Sequence, residues 1–223
     1  MYKLLSYPMS KRMPLFANNP QMKIWPESSM ENGDPYEQFF IETVNHNGTH
    51  IDAPRHFNPR GARIAELPIE NFVFHHPVVI DLPKGKGELI KAADLEPLAD
   101  SIANADLLLI RTGFGKIRDY DPHVYGNENP GFHPSAAEFF LENLPVLKAI
   151  GMDFPSATSA LHISEGIAFH QIILGKNATD GRAILLIEDV NLNQDLSGLR
   201  RVYALPLLIE GIDSAPCTIL GEF

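Results

Sequence analysis

Cysteine is nearly missing: Cys217 stands alone among 223 residues. One thiol forms no internal disulfide and builds no thiolate cage, so any metal must be held by His, Asp and Glu; a reducing compartment, by default the cytoplasm, is expected. Long apolar runs are missing too. No stretch reaches the ~18 residues of a membrane span, and Lys3, Lys11 and Arg12 break the opening segment where a leader needs an uninterrupted apolar core. Positive charge is scarce: 18 Lys and Arg against 28 Asp and Glu leave a net charge of -10. That balance repels nucleic-acid phosphates and anionic membranes, and points to a small-molecule partner.

What is present is a globular composition, 44% hydrophobic and 21% charged, at a length that suits one domain over residues 1–223. Eighteen prolines and sixteen glycines, scattered without repeat, imply many short elements joined by tight turns. Short apolar runs read as strands at Phe39 to Asn45, Pro77 to Leu82, Leu107 to Arg111, Ala149 to Asp153, Ala183 to Glu188, Tyr203 to Leu208 and Cys217 to Leu220. Helical stretches are expected from a cap at Asp94 to about Ile102, from Ser135 through Leu144, and from Ser164 to about Leu174. Strand and helix alternate, so the fold class is α/β, a mixed α+β arrangement.

Nine histidines stand out against the single cysteine. Residues 44 to 58 read VNHNGTHIDAPRHFN, which puts His46, His50, Asp52 and His56 all at even positions. In an extended segment these project from one side. A helix with His46 and His50 at i and i+4 is disfavoured by Asn47-Gly48-Thr49 and Pro54. That many polar groups on one face are costly to desolvate without a metal or a hydrogen-bond network, and two imidazoles with a carboxylate suit a divalent cation such as zinc. His162 reads as structural, and His75, His76, His123 and His133 lie in loop-like polar text.

His46-Asn-Gly-Thr-His-Ile-Asp-Ala-Pro-Arg-His-Phe57 resembles the H-x-G-T-H-x-D-x-P-x-H-F signature of the cyclase-like metal-dependent hydrolases, the family of bacterial kynurenine formamidases (arylformamidases) and isatin hydrolases. Further segments are similar in the same order: Leu5-Ser-Tyr-Pro-Met-Ser, Leu108-Leu-Ile-Arg-Thr-Gly, Gly131 to Phe139, Ile150-Gly-Met-Asp-Phe-Pro-Ser, Phe169-His-Gln-Ile-Ile-Leu, Leu186-Ile-Glu, and Leu205-Pro-Leu with Ala215-Pro-Cys. The resemblance implies a swivelling β/β/α domain with a mixed central sheet flanked by helices. It implies His46, His50 and Asp52 as ligands of a first metal, with Asp52 bridging to a second held by His170 and Glu188. His56 takes the place of the general acid/base. One or two ions are implied, zinc or manganese, in an often dimeric or tetrameric hydrolase of aryl formamides or lactams, such as the N-formylkynurenine of tryptophan catabolism or isatin. One departure is the segment 175–182, longer than the formamidases usually have.

In such a site a metal polarises a carbonyl and lowers the pKa of water towards ~7, while His56 carries the proton to the departing nitrogen. Phe57, Trp25 and Phe39 are candidates for an apolar pocket wall. Two rivals stand beside this reading. One is a non-haem iron oxygenase using His50, Asp52 and His170, with Arg182 as a 2-oxo-acid anchor. The other is a non-catalytic metal- or ligand-binding relative.

Overall fold

Four apolar runs bounded by turn formers become the parallel half of a sheet in the computed structural model, which describes residues 1–176, 178 and 181–223. In chain order the strands are β1 (Tyr2–Leu4), β2 (Lys23–Ser28), β3 (Gln38–Glu42), β4 (His50–Asp52), β5 (Val73–Phe74), β6 (Pro77–Asp81), β7 (Leu89–Ile90), β8 (Leu107–Arg111), β9 (Gly131–Phe132), β10 (Ala149–Met152), β11 (Leu185–Glu188), β12 (Arg201–Pro206) and β13 (Ser214–Glu222). The helices are α1 (Ala92–Leu95), α2 (Ala99–Ile102), α3 (Pro122–Asn127), α4 (Pro134–Asn143) and α5 (Ile163–Ile173). The main sheet runs β5-β12-β13-β4-β11-β10-β8-β6, with β1 also on β13. Strands β6, β8, β10 and β11 are mutually parallel, whereas β4, β13, β12 and β5 pair antiparallel. Strand β4 is therefore the seam between the two halves.

The period of two sorts side chains into two cores. Leu108, Ile110, Ile150, Met152 and Leu186 face one way and pack with Phe132, Phe140 and Phe169, where Phe132 and Phe169 stack at 4.6 Å between ring centres. Ile51, Leu107, Leu109 and Ile187 face the other way, against Phe72 and Phe74. Each such side chain contributes roughly 1.5–3 kcal/mol by leaving water. Among the described residues no helix is long and apolar enough to cross a membrane.

The mixed α/β architecture agrees with the sequence reading, and the differences are local. The first helical stretch starts at Ala92 and is interrupted by a 3-10 turn, Glu96–Leu98, at Pro97. Asp94 does not cap it from outside: its carboxylate sits in the first turn and accepts from the Lys91 N–H at 2.8 Å. The helix expected from Ser135 starts at Pro134, because the His133 ring accepts the Ser135 N–H. The strand expected over Phe39 to Asn45 is β3, which joins only β2, in a hairpin whose Trp25, Phe39, Phe40 and Ile41 are exposed. Of the lengthened segment 175–182, residues 177, 179 and 180 lie outside the described residues.

Helix α5 packs closely on the loop that follows β10 because position 166 has no side chain: a Cβ there would stand 2.4 Å from Thr158 Oγ1. Gly166→Ala is expected to push α5 outward and to destabilise by about 1–3 kcal/mol. At ~2–4 °C per kcal/mol for a chain of this size, thermal unfolding followed by circular dichroism measures the loss, and an unchanged midpoint would show that the packing gives way freely.

Candidate metal centre

The register of β4 on β11 sets His50 directly opposite Glu188, and side chains so paired share a face. Asp52, two residues along β4, joins them. All three are buried, with 1%, 3% and 1% of His50, Glu188 and Asp52 exposed, a depth at which ionisable groups need partners. Gly48, in the left-handed region at φ 69°, turns the chain so that its carbonyl accepts the His50 Nδ1–H at 2.8 Å. From the last turn of α5, His170 donates its own Nδ1–H to the Gly166 carbonyl at 2.7 Å. Both rings are thus tied at Nδ1 and aim Nε2 at carboxylates. His50 Nε2 lies 3.2 Å from Glu188 Oε2 and 3.5 Å from Asp52 Oδ1, and His170 Nε2 lies 3.7 Å from Glu188 Oε1. The Ala157 N–H donates to Glu188 Oε1 at 2.7 Å and fixes that carboxylate from the side.

The four even-numbered residues do converge, but not as one extended strand. Only His50–Asp52 is extended; His46 lies in the preceding turn and His56 in the 3-10 turn Pro54–His56. His46 Nδ1 reaches Asp52 Oδ1 at 3.1 Å, and the His46 and His56 rings stand 4.1 Å apart. Tertiary structure also supplies a residue the sequence reading missed. Asp213, just before β13, accepts from His46 Nε2 at 3.0 Å and from His56 Nδ1 at 2.7 Å through one oxygen, while the Asn45 amide donates to the other at 2.8 Å. Its one trace in the sequence is an acidic residue abutting the Ala215-Pro-Cys hairpin.

Charge is concentrated here. Burial alone would lower the His46 imidazole, yet Asp52 and Asp213 outweigh it and raise it to about 10. His50 is raised in the same sense, burial being overcome by Glu188 and Asp52. Burial and the charge of Asp52 push Glu188 up, but the His170 and His50 imidazoles facing it prevail and hold it down at about 2. Asp52 and Asp213 are likewise held below the usual carboxylate range, against the effect of burial, by the surrounding histidines.

The donor set fits a divalent cation. Both Asp52 oxygens and His50 Nε2 are buried without a hydrogen-bond partner, although His50 Nε2 and Asp52 Oδ1 stand only 3.5 Å apart. Such atoms are costly unless a shared ion satisfies them. Among the described residues two triplets could hold one: His46, Asp52 and His56, and His50, Asp52 and Glu188. Asp52 is common to both, as the resemblance implies. The grouping otherwise differs, since His50 belongs with Glu188, His56 stands at ligand range, and His170 flanks Glu188 instead of completing a triplet. Nitrogen and carboxylate donors accept zinc and manganese alike.

A cavity of ≈ 310 Å³ opens onto this cluster. Its apolar side is formed by Phe16, Phe57, Ile163 and Ile167, and its polar side by His46, His56, His170 and Glu188. Trp25 and Phe39, expected in the wall with Phe57, are on the exposed hairpin instead.

Residues 4–158 match the family model described as "Putative cyclase". The chain belongs to the cyclase family. A kynurenine formamidase of Bacillus cereus is 32% identical over 173 residues, covering 77% of this chain and 73% of that protein. Cyclase-like protein 1 of Arabidopsis thaliana is 29% identical over 192 residues, covering 85% and 71%. Isatin hydrolase A from Labrenzia aggregata has the same fold, with a TM-score of 0.81 at 22% identity over 99% of this chain and 93% of that one. A structure described as a potential metal-dependent hydrolase with cyclase activity superposes with a TM-score of 0.75 at 23% identity, covering 99% and 96%. His170, Glu188 and Asp213 lie beyond the stretch matched by the family model.

Raised imidazole pKa values mean that metal and protons compete for the same nitrogens. His46, near 10 without metal, is protonated at neutral pH and must lose that proton to ligate, so metal binding there is expected to release about one proton at pH 7. Calorimetric titration with Zn²⁺ in buffers of different ionisation enthalpy measures the release; an enthalpy independent of buffer would count against His46 as a ligand.

Proposed function

We propose that this member of the cyclase family is a metal-dependent hydrolase that opens an amide or cyclic amide bond, with aryl formamides and lactams as its substrate class. The observation that carries the reading is the buried His50, Asp52 and Glu188 triplet with unpartnered atoms turned inward. Support comes from the 32% identity to a kynurenine formamidase, and from a cavity that sets an apolar wall against the ionisable cluster. His46, His50, Asp52, Glu188 and His170 are the proposed metal-binding residues, and His56 the proposed general acid/base.

A cation held there would polarise the substrate carbonyl and lower the pKa of water beside it. The protein's own groups do the rest. His56 donates its Nδ1–H to Asp213, which leaves Nε2 as the basic atom, able to take a proton from water and return it to the departing nitrogen. Asp213 fixes that tautomer and the ring's orientation, as the carboxylate partner of a catalytic histidine does. Phe57, whose ring stands 4.6 Å from the His56 ring and 4.7 Å from that of His170, lines the apolar side and keeps bulk water from the reacting bond.

The iron-oxygenase alternative has weak support. Arg182, its required anion anchor, donates to the carbonyls of Leu141 and Leu144, and His170 sits on a helix instead of a strand. A mere metal store would use His56, held by the carboxylate that also binds His46, only as a ligand, so loss of turnover with metal retained separates the two readings.

Hydrolysis of formamides and small lactams, assayed without oxygen after metal analysis of the purified protein, tests the proposal. His56→Ala is expected to retain metal and to lose turnover by about 10²–10⁴-fold, the usual worth of a positioned proton carrier. His50→Ala and Asp52→Ala are expected to lose metal itself, seen by elemental analysis. Strict dependence of turnover on oxygen and a 2-oxo acid would overturn the hydrolase reading.

A further inference from the structure

Immediately after Glu188 the chain does something unusual. Asp189 adopts the left-handed region at φ 56°, a conformation that non-glycine residues hold only where their surroundings enforce it. The enforcement is buried and charged. Arg118, 5% exposed, donates Nε–H to Asp189 Oδ1 at 2.7 Å and Nη2–H to Oδ2 at 2.6 Å, a bidentate fork. Tyr125, fully buried, donates its hydroxyl to Asp189 Oδ1 at 2.6 Å. The far face of the Arg118 guanidinium lies 3.8 Å over the Tyr7 ring.

The backbone of the same residue ties the clamp to the other half of the site. The Asp189 carbonyl accepts the Thr49 hydroxyl at 2.6 Å, and Thr49 is the residue before His50. The Tyr7 N–H donates to that hydroxyl at 3.0 Å, and the Asp189 N–H donates to the Phe154 carbonyl at 3.0 Å. Asp189 is thus held through both carboxylate oxygens and both peptide groups, one residue from Glu188 and joined by a hydrogen bond to the neighbour of His50. None of these groups faces the substrate cavity or takes part in the mechanism above.

We infer that the Arg118, Asp189 and Tyr125 clamp is a positioning device for the metal centre: it fixes the turn that aims Glu188 at His50 and so sets the spacing between two proposed ligands. This rests on the reading of Glu188 as a ligand. Arg118 and Asp189 are positioning residues; they touch neither metal nor substrate. A buried ion pair is a poor stabiliser, and replacing it with well-packed neutral groups of similar size often leaves stability unchanged, so fixing an orientation is the better account of this one.

The test measures the Glu188-dependent affinity for Co²⁺ and Zn²⁺ in the full chain, meaning the part lost in Glu188→Gln, by calorimetry and by the visible spectrum of bound Co²⁺. The paired variant Arg118→Met with Asp189→Asn removes both charges together and is expected to fold, with circular dichroism and melting close to the parent, yet to lose that affinity tenfold or more and to alter the Co²⁺ spectrum. Arg118→Lys, which keeps the charge but not the fork, is the second variant and is expected to weaken the same affinity. Folded variants with parental affinity and spectrum would overturn the inference, as would lowered melting points with unchanged metal binding, which is what a merely structural clamp predicts. Parental affinity in Glu188→Gln would overturn the ligand reading beneath it, a distinct result.

Discussion

Everything at the centre follows from one antiparallel pairing, that of β4 with β11. It lays a short strand carrying His50 and Asp52 against the end of a parallel strand carrying Glu188, and places the three on one face. The parallel strands alone would present apolar side chains to α4 and α5, with Glu188 an ionisable exception at the end of β11. The antiparallel strands alone would have no helix to bring an imidazole from above. At the seam a carboxylate at a strand end, a two-residue periodicity and the last turn of α5 meet, and the rest of the fold holds that meeting in place.

The sequence made the donors visible because residue type and spacing are local properties. His46, His50, Asp52 and His56 could be singled out within eleven residues, and the alternation of apolar runs gave the fold class. The period of two accounts for only part of their convergence: it operates over His50–Asp52, and the flanking histidines arrive by a turn at Gly48 and a 3-10 turn at Pro54. Asp213 and the Arg118 clamp were illegible for a physical reason. Their partners lie 157 and 71 residues away, and nothing in their own neighbourhoods marks an aspartate or arginine as buried. The hairpin of Trp25 and Phe39 is exposed instead of lining the cavity, and an apolar, aromatic run looks the same in sequence whether it fills a core or stands outside one.

The acidic balance of the chain also acquires a meaning. Three of its carboxylates, Asp52, Glu188 and Asp213, are held ionised beside histidines instead of at the open surface. An ion at the cluster would replace the protons on those histidines, so the local charge is regulated by what is bound more than by the pH of the surroundings.

Strand β4 is three residues long and is flanked by β11 and β13, both contributed by the last third of the chain. During synthesis, residues 46–56 leave the ribosome long before either neighbour exists. Through that interval the segment holds its histidines on a strand with two open edges, which is the kind of segment that pairs with the wrong partner. The central strand is therefore among the last to be enclosed, and errors in making this protein should concentrate in the segment that also carries its chemistry.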